Sequence, residues 1–186
     1  MVEMMSARHY TLFDTAIGRC GIAWGEHGLL GVQLPEPSDR ATIARLLRHL
    51  SAPCEPAAAA PPAVQRAIDA VVALLRGETS ADLGGIVLDM DGVPAFHRRV
   101  YDVARGIAPG ATLTYGDIAA RLGEPGAARA VGQALGRNPF AIVVPCHRVL
   151  AAGGKMGGFS ASGGALTKQR MLAIEGAGVT PSLFDA

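Results

Sequence analysis

Two short helical patterns lie almost end to end in this chain, "TLTYGDIAARLG" (112–123) and "GAARAVGQALGRN" (126–138), with Gly123, Pro125 and Gly126 writing the turn between them. Helix, short glycine-containing turn, helix is the pattern of a helix-turn-helix. The second helix is unusual for one that reads bases. Ala127, Ala128, Ala130, Gly132 and Ala134 leave it almost without bulk, and only Arg129 and Gln133 project far. A major-groove reader wants several long donors and acceptors. A slim helix with one arginine suits close approach in a narrower groove. The same small residues also serve a helix packed tightly inside a core, and composition alone favours that plainer reading.

The segments on either side set the fold class. "YTLFDTAIG" and "CGIAWGEHGLLGVQL" read as strands, the second folded over a turn at Glu26-His27-Gly28. "SDRATIARLLRHL" is a helix pattern capped by Ser38 or Asp39, with Ile43, Leu46, Leu47 and Leu50 on one face. "SAPCEPAAAAPPA" is low-complexity and is expected to be a mobile loop. A second helix runs from about Pro62 to near Gly77, and "GGIVLDM" reads as a short buried strand. Beyond "DGVP", "AFHRRVYDVARGI" carries Phe96, Val100, Val103 and Ile107 on one helical face. After the helix pair, "PFAIVVP" is expected to be a core strand, and "SGGALTKQRMLAIEGAG" a last helix stopped by Gly176. The chain is therefore expected to be an α/β unit over 1–91, a helical unit over 92–178 and a tail over 179–186.

Charge separates the same two halves. Residues 1–91 hold 7 Arg and no Lys against 11 acids, a balance of −4; residues 92–178 hold 10 basic residues against 4 acids, a balance of +6. A basic half suits a polyanion, usually nucleic acid, although a well-solvated surface explains it equally. No apolar run is long enough to span a bilayer, and the start "MVEMMSARHY" lacks a signal-peptide pattern. Three scattered cysteines make no disulfide framework. These features predict a cytoplasmic protein with reduced thiols and no membrane partner.

Cys146 ends the apolar run in "VVPCHRVL", followed directly by His147 and Arg148. Free cysteine is among the most buried residue types. A nucleophilic thiol needs a base and an electropositive site, and His147 and Arg148 are unexpected inside a core. In an extended strand, however, adjacent side chains point to opposite faces. His147 can then serve Cys146 only if the chain turns at Pro145 or a water bridges the two.

The longer strings "TYGDIAARLGEPGAARAVGQAL" and "GRNPFAIVVPCHRVL" resemble the O6-alkylguanine-DNA alkyltransferases, the methylated-DNA–protein-cysteine methyltransferases. The resemblance runs in order from about Phe96 to Gly176. It implies a ribonuclease-H-like N-terminal α/β domain followed by a winged-helix-like helix-turn-helix domain. It also implies DNA repair by single, irreversible transfer of an alkyl group from O6-alkylguanine, with O4-alkylthymine as a second candidate, to Cys146 after nucleotide flipping. By the same resemblance His147 draws off the thiol proton through a water, and Glu175 orients it. Tyr115 donates a proton to the departing guanine, and Asn138 ties the two halves of the site together. Arg129 enters the base stack, with Ala128, Gly132, Gln133 and Arg137 beside it on the DNA face. The partner implied is double-stranded DNA, gripped in the minor groove without sequence preference by a monomer, with no metal and no organic cofactor. Arg148 carries no catalytic role and is expected to make a structural or phosphate contact.

One stretch departs from the family pattern. Where relatives commonly close the site with Gly, an aromatic, a small residue and Gly-Gly, "GGFSASGG" has Phe159 for the frequent tyrosine, and Ala161 and Ser162 intervene before Gly163-Gly164. The expected substrate pocket is Tyr115, Pro145, Phe159 and Ser160. Cys20, His27 and Cys54 have no compact metal-ligand spacing and read as ordinary residues. The alternatives are a DNA-binding lesion sensor or regulator without catalysis, and a Cys-His hydrolase. Sensors of that kind lack the acceptor cysteine, which is present here.

Overall fold

The computed structural model of the chain describes residues 7–178, so the tail expected over 179–186 lies outside the described residues. Strands β1 (His9–Thr15), β2 (Gly18–Gly25) and β3 (Gly28–Gln33), the last two buried continuously through their middles, form an antiparallel meander whose second hairpin turns on Glu26-His27 as the sequence predicts. Gly28 is obligatory there: its φ is +136°, and a Cβ would lie 2.7 Å from the Val87 carbonyl oxygen. Helix α1 (Asp39–Leu47) starts where the Ser38 hydroxyl accepts the Ala41 N–H at 3.2 Å, and it buries Thr42 and Leu46. Helix α2 (Pro62–Leu75) opens on a proline and lays Val64, Ala67, Ile68, Val71, Leu74 and Leu75 inward.

Two segments of this half differ from expectation. Glu55–Pro56 of the Pro/Ala stretch forms a short strand, β4, parallel to β1, which gives the sheet order β3-β2-β1-β4. The Glu55 and Ala57 N–H groups donate to the Arg8 and Tyr10 carbonyls, both at 2.9 Å, so backbone pairing organises a segment whose side chains carry no pattern. "GGIVLDM" is no buried strand. Only Leu88 bridges to Leu29, and Val87 is 67% exposed.

The second half begins with α3 (Ala95–Arg105), which buries Val100, Tyr101 and Ala104. Strand β5 (Leu113–Thr114) feeds α4 (Tyr115–Arg121), closed by a reciprocal capping box between Thr114 and Asp117. Helix α5 (Ala128–Gly136) follows and buries Val131, Ala134 and Leu135 against α3 and α4. Strand β6 (Val149–Leu150) pairs parallel with β5, and α6 (Gly164–Ile174) closes the fold. The core has two main clusters, one on the four-stranded sheet with α2 and one among α3, α4 and α5. Ile142, Val143 and Met171 join the first cluster, so the second half helps to fill the core of the first. Among the described residues no helix is long and apolar enough to cross a membrane.

Candidate active site

The stretch "PFAIVVP" is not a strand. It makes a tight turn in which Ile142 takes a left-handed φ of +72°, and its β-type contacts are single bridges from Phe140 to Val32 and from Ala141 to Val144. A non-glycine residue in that region costs of order 1–3 kcal/mol and persists only where its surroundings hold it. Here Ile142 is buried, and Asn138 clamps the turn at both ends. Its Nδ2 donates to the Val144 carbonyl and its Oδ1 accepts the Phe140 N–H, each at 2.9 Å. An apolar run alone could not reveal this, because continuous hydrophobicity marks burial and not backbone conformation.

The turn delivers Cys146–Arg148 as one turn of 3-10 helix, not as extended chain. Side chains that a strand would send to opposite faces therefore spread around one corner. Cys146 is half-buried and lines a cavity of about 560 Å³, whereas His147 and Arg148 are buried. His147 Nε2 lies 2.8 Å from Glu175 Oε1. Burial pushes Glu175 up, but the hydrogen bonds and charges of His147 and Arg148 outweigh it and hold the carboxyl at about 2. An ionised carboxylate only accepts, so Nε2 carries the proton and Nδ1 keeps a free lone pair. Burial also pushes the His147 pKa down, against Glu175, which keeps the ring neutral. Among the described residues Nδ1 has no hydrogen-bond partner. The imidazole is thus a buried base with one nitrogen committed and the other open.

Arg148 is no phosphate contact. It forks onto Glu175 through Nε and Nη2, both at 2.8 Å, and its Nη1 donates to the Ile107 carbonyl at 2.6 Å. The positive charge that acts on Cys146 is instead Lys168, which sequence reasoning missed. Its side chain is fully buried and donates to the Val149 carbonyl at 2.5 Å, and burial, opposed by Cys146, lowers it to about 8. Spacing held a signal: Lys168, Met171 and Glu175 fall on one face of α6, the face that packs against the Cys146 turn. Burial pushes the Cys146 thiol up. The Asn138 amide, the Lys168 charge and the N–H groups of Cys146 and His147 pull the other way. The electropositive surroundings expected from His147 and Arg148 therefore come from other groups.

The same cavity is lined by Tyr115, Ala128, Arg129, Gly132, Gly158, Phe159 and Ser160. The Tyr115 ring passes between Gly132 and Gly157, where added Cβ atoms would come within 4.0 and 3.4 Å of it. Burial and the nearby Cys146 raise its pKa, so its phenol stays protonated. Arg129 and Gln133 are exposed on α5. Three expected residues stand elsewhere. Pro145 is buried behind the turn and does not line this cavity, and Asn138 lines a smaller one of about 120 Å³ that meets the other side of Cys146. Arg137, past the end of α5, lines that smaller cavity too and also borders a cleft with His97 and Tyr101. Cys20 is buried with its thiol pushed by burial to about 12, and Cys54 lies beside Arg8.

A helix-turn-helix whose second helix lines a cavity with a thiol and a phenol on its wall, and a buried, carboxylate-bound imidazole next in sequence to the thiol, fits a protein that transfers a group to cysteine. Comparison with known proteins agrees. The family model "6-O-methylguanine DNA methyltransferase, DNA binding domain" matches residues 95–177. A methylated-DNA–protein-cysteine methyltransferase of Methanothermobacter thermautotrophicus is 38% identical over 157 residues, 84% of this chain and 78% of its own. The counterpart from Mycobacterium bovis is 38% identical over 169 residues, 88% of this chain and 89% of its own. The crystal structure of Mycobacterium tuberculosis OGT in complex with DNA superposes with a TM-score of 0.71 at 37% identity, over 90% of this chain and 92% of that one. The chain belongs to the methylated-DNA–protein-cysteine methyltransferase family.

Proposed function

We propose that the protein repairs DNA by moving the alkyl group of O6-alkylguanine, and by extension O4-alkylthymine, onto Cys146 in a single irreversible turnover. The observation that carries this reading is Cys146 at the wall of the α5 cavity, one residue from a histidine already oriented by a buried carboxylate. The alkylated oxygen lies inside a duplex, so the nucleotide must first be extruded, at roughly a few kcal/mol and least for a poorly paired base. The α5 surface of Ala128, Arg129, Gly132 and Gln133 is slim enough to enter a minor groove, with Arg129 replacing the extruded base in the stack. Recognition through backbone and shape carries no sequence preference.

His147 Nδ1 takes the Cys146 proton through a water, and the charge so gained rests on Glu175. The thiolate attacks the alkyl carbon, the S–C bond forms as the C–O6 bond breaks, and the electron pair leaves with the guanine. Tyr115 supplies the proton that makes guanine a neutral leaving group. The product is a thioether that water does not cleave, so each molecule acts once and no cofactor takes part. Residues 1–91 are assigned to a ribonuclease-H-like domain and 92–178 to a winged-helix-like one, acting as a monomer in the reducing cytoplasm. Intact-mass measurement after incubation with duplex DNA carrying O6-methylguanine tests the reading. Transfer adds one methylene to the peptide holding Cys146, and Cys146→Ala abolishes the gain; an unchanged mass with the DNA bound refutes the activity.

A further inference from the structure

We infer that Arg45 of α1 is a positioning residue for the transfer reaction, holding the segment that closes the Cys146 cavity; this inference rests on the function proposed above. Segment 156–160 contributes Gly158, Phe159 and Ser160 to the cavity wall and has no regular secondary structure. The residues before and after it are tied locally. The Ala151 N–H donates to the Lys155 carbonyl at 2.8 Å, the Gly164 N–H to the Ala161 carbonyl at 2.9 Å, and the Thr167 hydroxyl to the Ser162 carbonyl at 2.6 Å. Among the described residues, the backbone of 156–160 itself receives one hydrogen bond, from Arg45 Nη2 to the Ser160 carbonyl, across 115 positions of sequence.

Arg45 is pre-set for this contact. Its Nη1 pairs with Glu36 Oε1 at 2.8 Å, with side chains only 27% and 12% exposed, and Gln33 Nε2 braces the same Glu36 oxygen at 3.4 Å. A guanidinium fixed by one partner gives up less freedom to bind a second, and a charged donor makes the stronger class of hydrogen bond. Phe159 and Ala161 also pack on the core cluster of the four-stranded sheet. The closing segment therefore leans on the N-terminal half through one polar and one apolar contact. Ala161 and Ser162, the two residues that intervene in the family pattern before Gly163-Gly164, directly follow the anchored carbonyl. Extra length next to an anchor leaves the anchor to decide where the wall stands.

The test compares wild type, R45A, R45K and E36Q as full-length protein in two measurements. Transfer to Cys146 from free O6-benzylguanine is followed by intact mass against concentration, and hydrogen exchange is read on the peptide spanning 156–160. Anchoring predicts that R45A raises the half-saturating concentration about tenfold, which corresponds to about 1.4 kcal/mol. It predicts a limiting rate within twofold of wild type and faster exchange in 156–160 but not in α4 or α5. R45K recovers most of the loss, since one donor suffices for Ser160, and E36Q falls between. An unchanged half-saturating concentration with unchanged exchange overturns the inference, as does a loss confined to the limiting rate. Should R45A fold poorly, E36Q decides alone, because it keeps the donor and removes only its brace: unchanged exchange and saturation there also overturn it. Wild type that gains no mass refutes the proposed function instead, and the exchange result still judges the anchor.

Discussion

Glu175 Oε1 lies 2.8 Å from His147 Nε2 across 28 positions of sequence, and the same carboxylate receives both arms of the Arg148 fork. The three side chains form one buried unit in which the carboxylate neutralises the arginine and fixes the histidine tautomer. Glu175→Gln removes the charge and turns an amide N–H toward donors. Breaking a buried pair from one side costs about 3–5 kcal/mol, and losing an oriented base costs about 10²-fold in rate. Urea unfolding and single-turnover transfer read the two losses separately. The double variant Arg148→Met, Glu175→Gln is expected to regain part of the stability and none of the rate, since no arginine is then left unpaired.

Acid stability follows from the same unit. Glu175 sits at about 2 in the folded chain against an ordinary 4.5, so the unfolded chain takes up a proton first as pH falls. Its contribution is complete above about pH 4.5 and is lost as pH drops toward 2. Unfolding free energy measured from pH 6 downward should decline across that window, and Glu175→Gln should remove that share of the slope. An identical pH dependence in the variant would contradict the assignment.

How much of this was legible in the sequence depends on the distance over which each signal acts. Helices α4 and α5 and the glycine turn between them are written locally and were readable. So was the hairpin at Glu26-His27. The run 139–145 was not, because burial of Phe140, Ile142, Val143 and Val144 looks the same in a strand as in a left-handed turn. The turn exists because Asn138 clamps it, a fact of geometry and not of periodicity. Cys146, His147, Tyr115, Asn138 and Glu175 came from the family's motifs; spacing alone left Cys146 undecided. The spacing of Lys168, Met171 and Glu175 placed Lys168 on the face of Glu175, but which turn that face packs against, and the fate of Arg148, are tertiary facts that no local pattern encodes.

Lys168 supplies a third prediction. Burial lowers it to about 8, so near neutral pH it is still mostly protonated, and its charge favours the Cys146 thiolate. Lys168→Met keeps the volume and removes the charge. The Cys146 thiolate, followed by its ultraviolet absorbance, should then form at higher pH than in wild type, and transfer at pH 7 should slow. Stability carries an independent mark. Between about 8 and 10.5 the unfolded lysine holds a proton that the folded one has released, so its contribution rises with pH across that window. Subtracting the Lys168→Met curve from that of wild type isolates this rise.

Arg129 separates binding from chemistry. It is the long cation of an otherwise slim α5 surface, exposed at the rim of the cavity and 17 positions from the acceptor thiol. A side chain that fills the gap left by an extruded nucleotide acts only when there is a stack to fill. Arg129→Ala should therefore slow repair of O6-methylguanine in duplex DNA by about 10–100-fold, the scale of a few kcal/mol of unstacking left uncompensated. Transfer from the free modified base should stay within a few-fold of wild type, because no stack is opened there. Running both substrates on one protein preparation checks the contrast. Equal losses would place Arg129 in the chemistry of the cavity itself, and equal retention would remove it from the DNA interface.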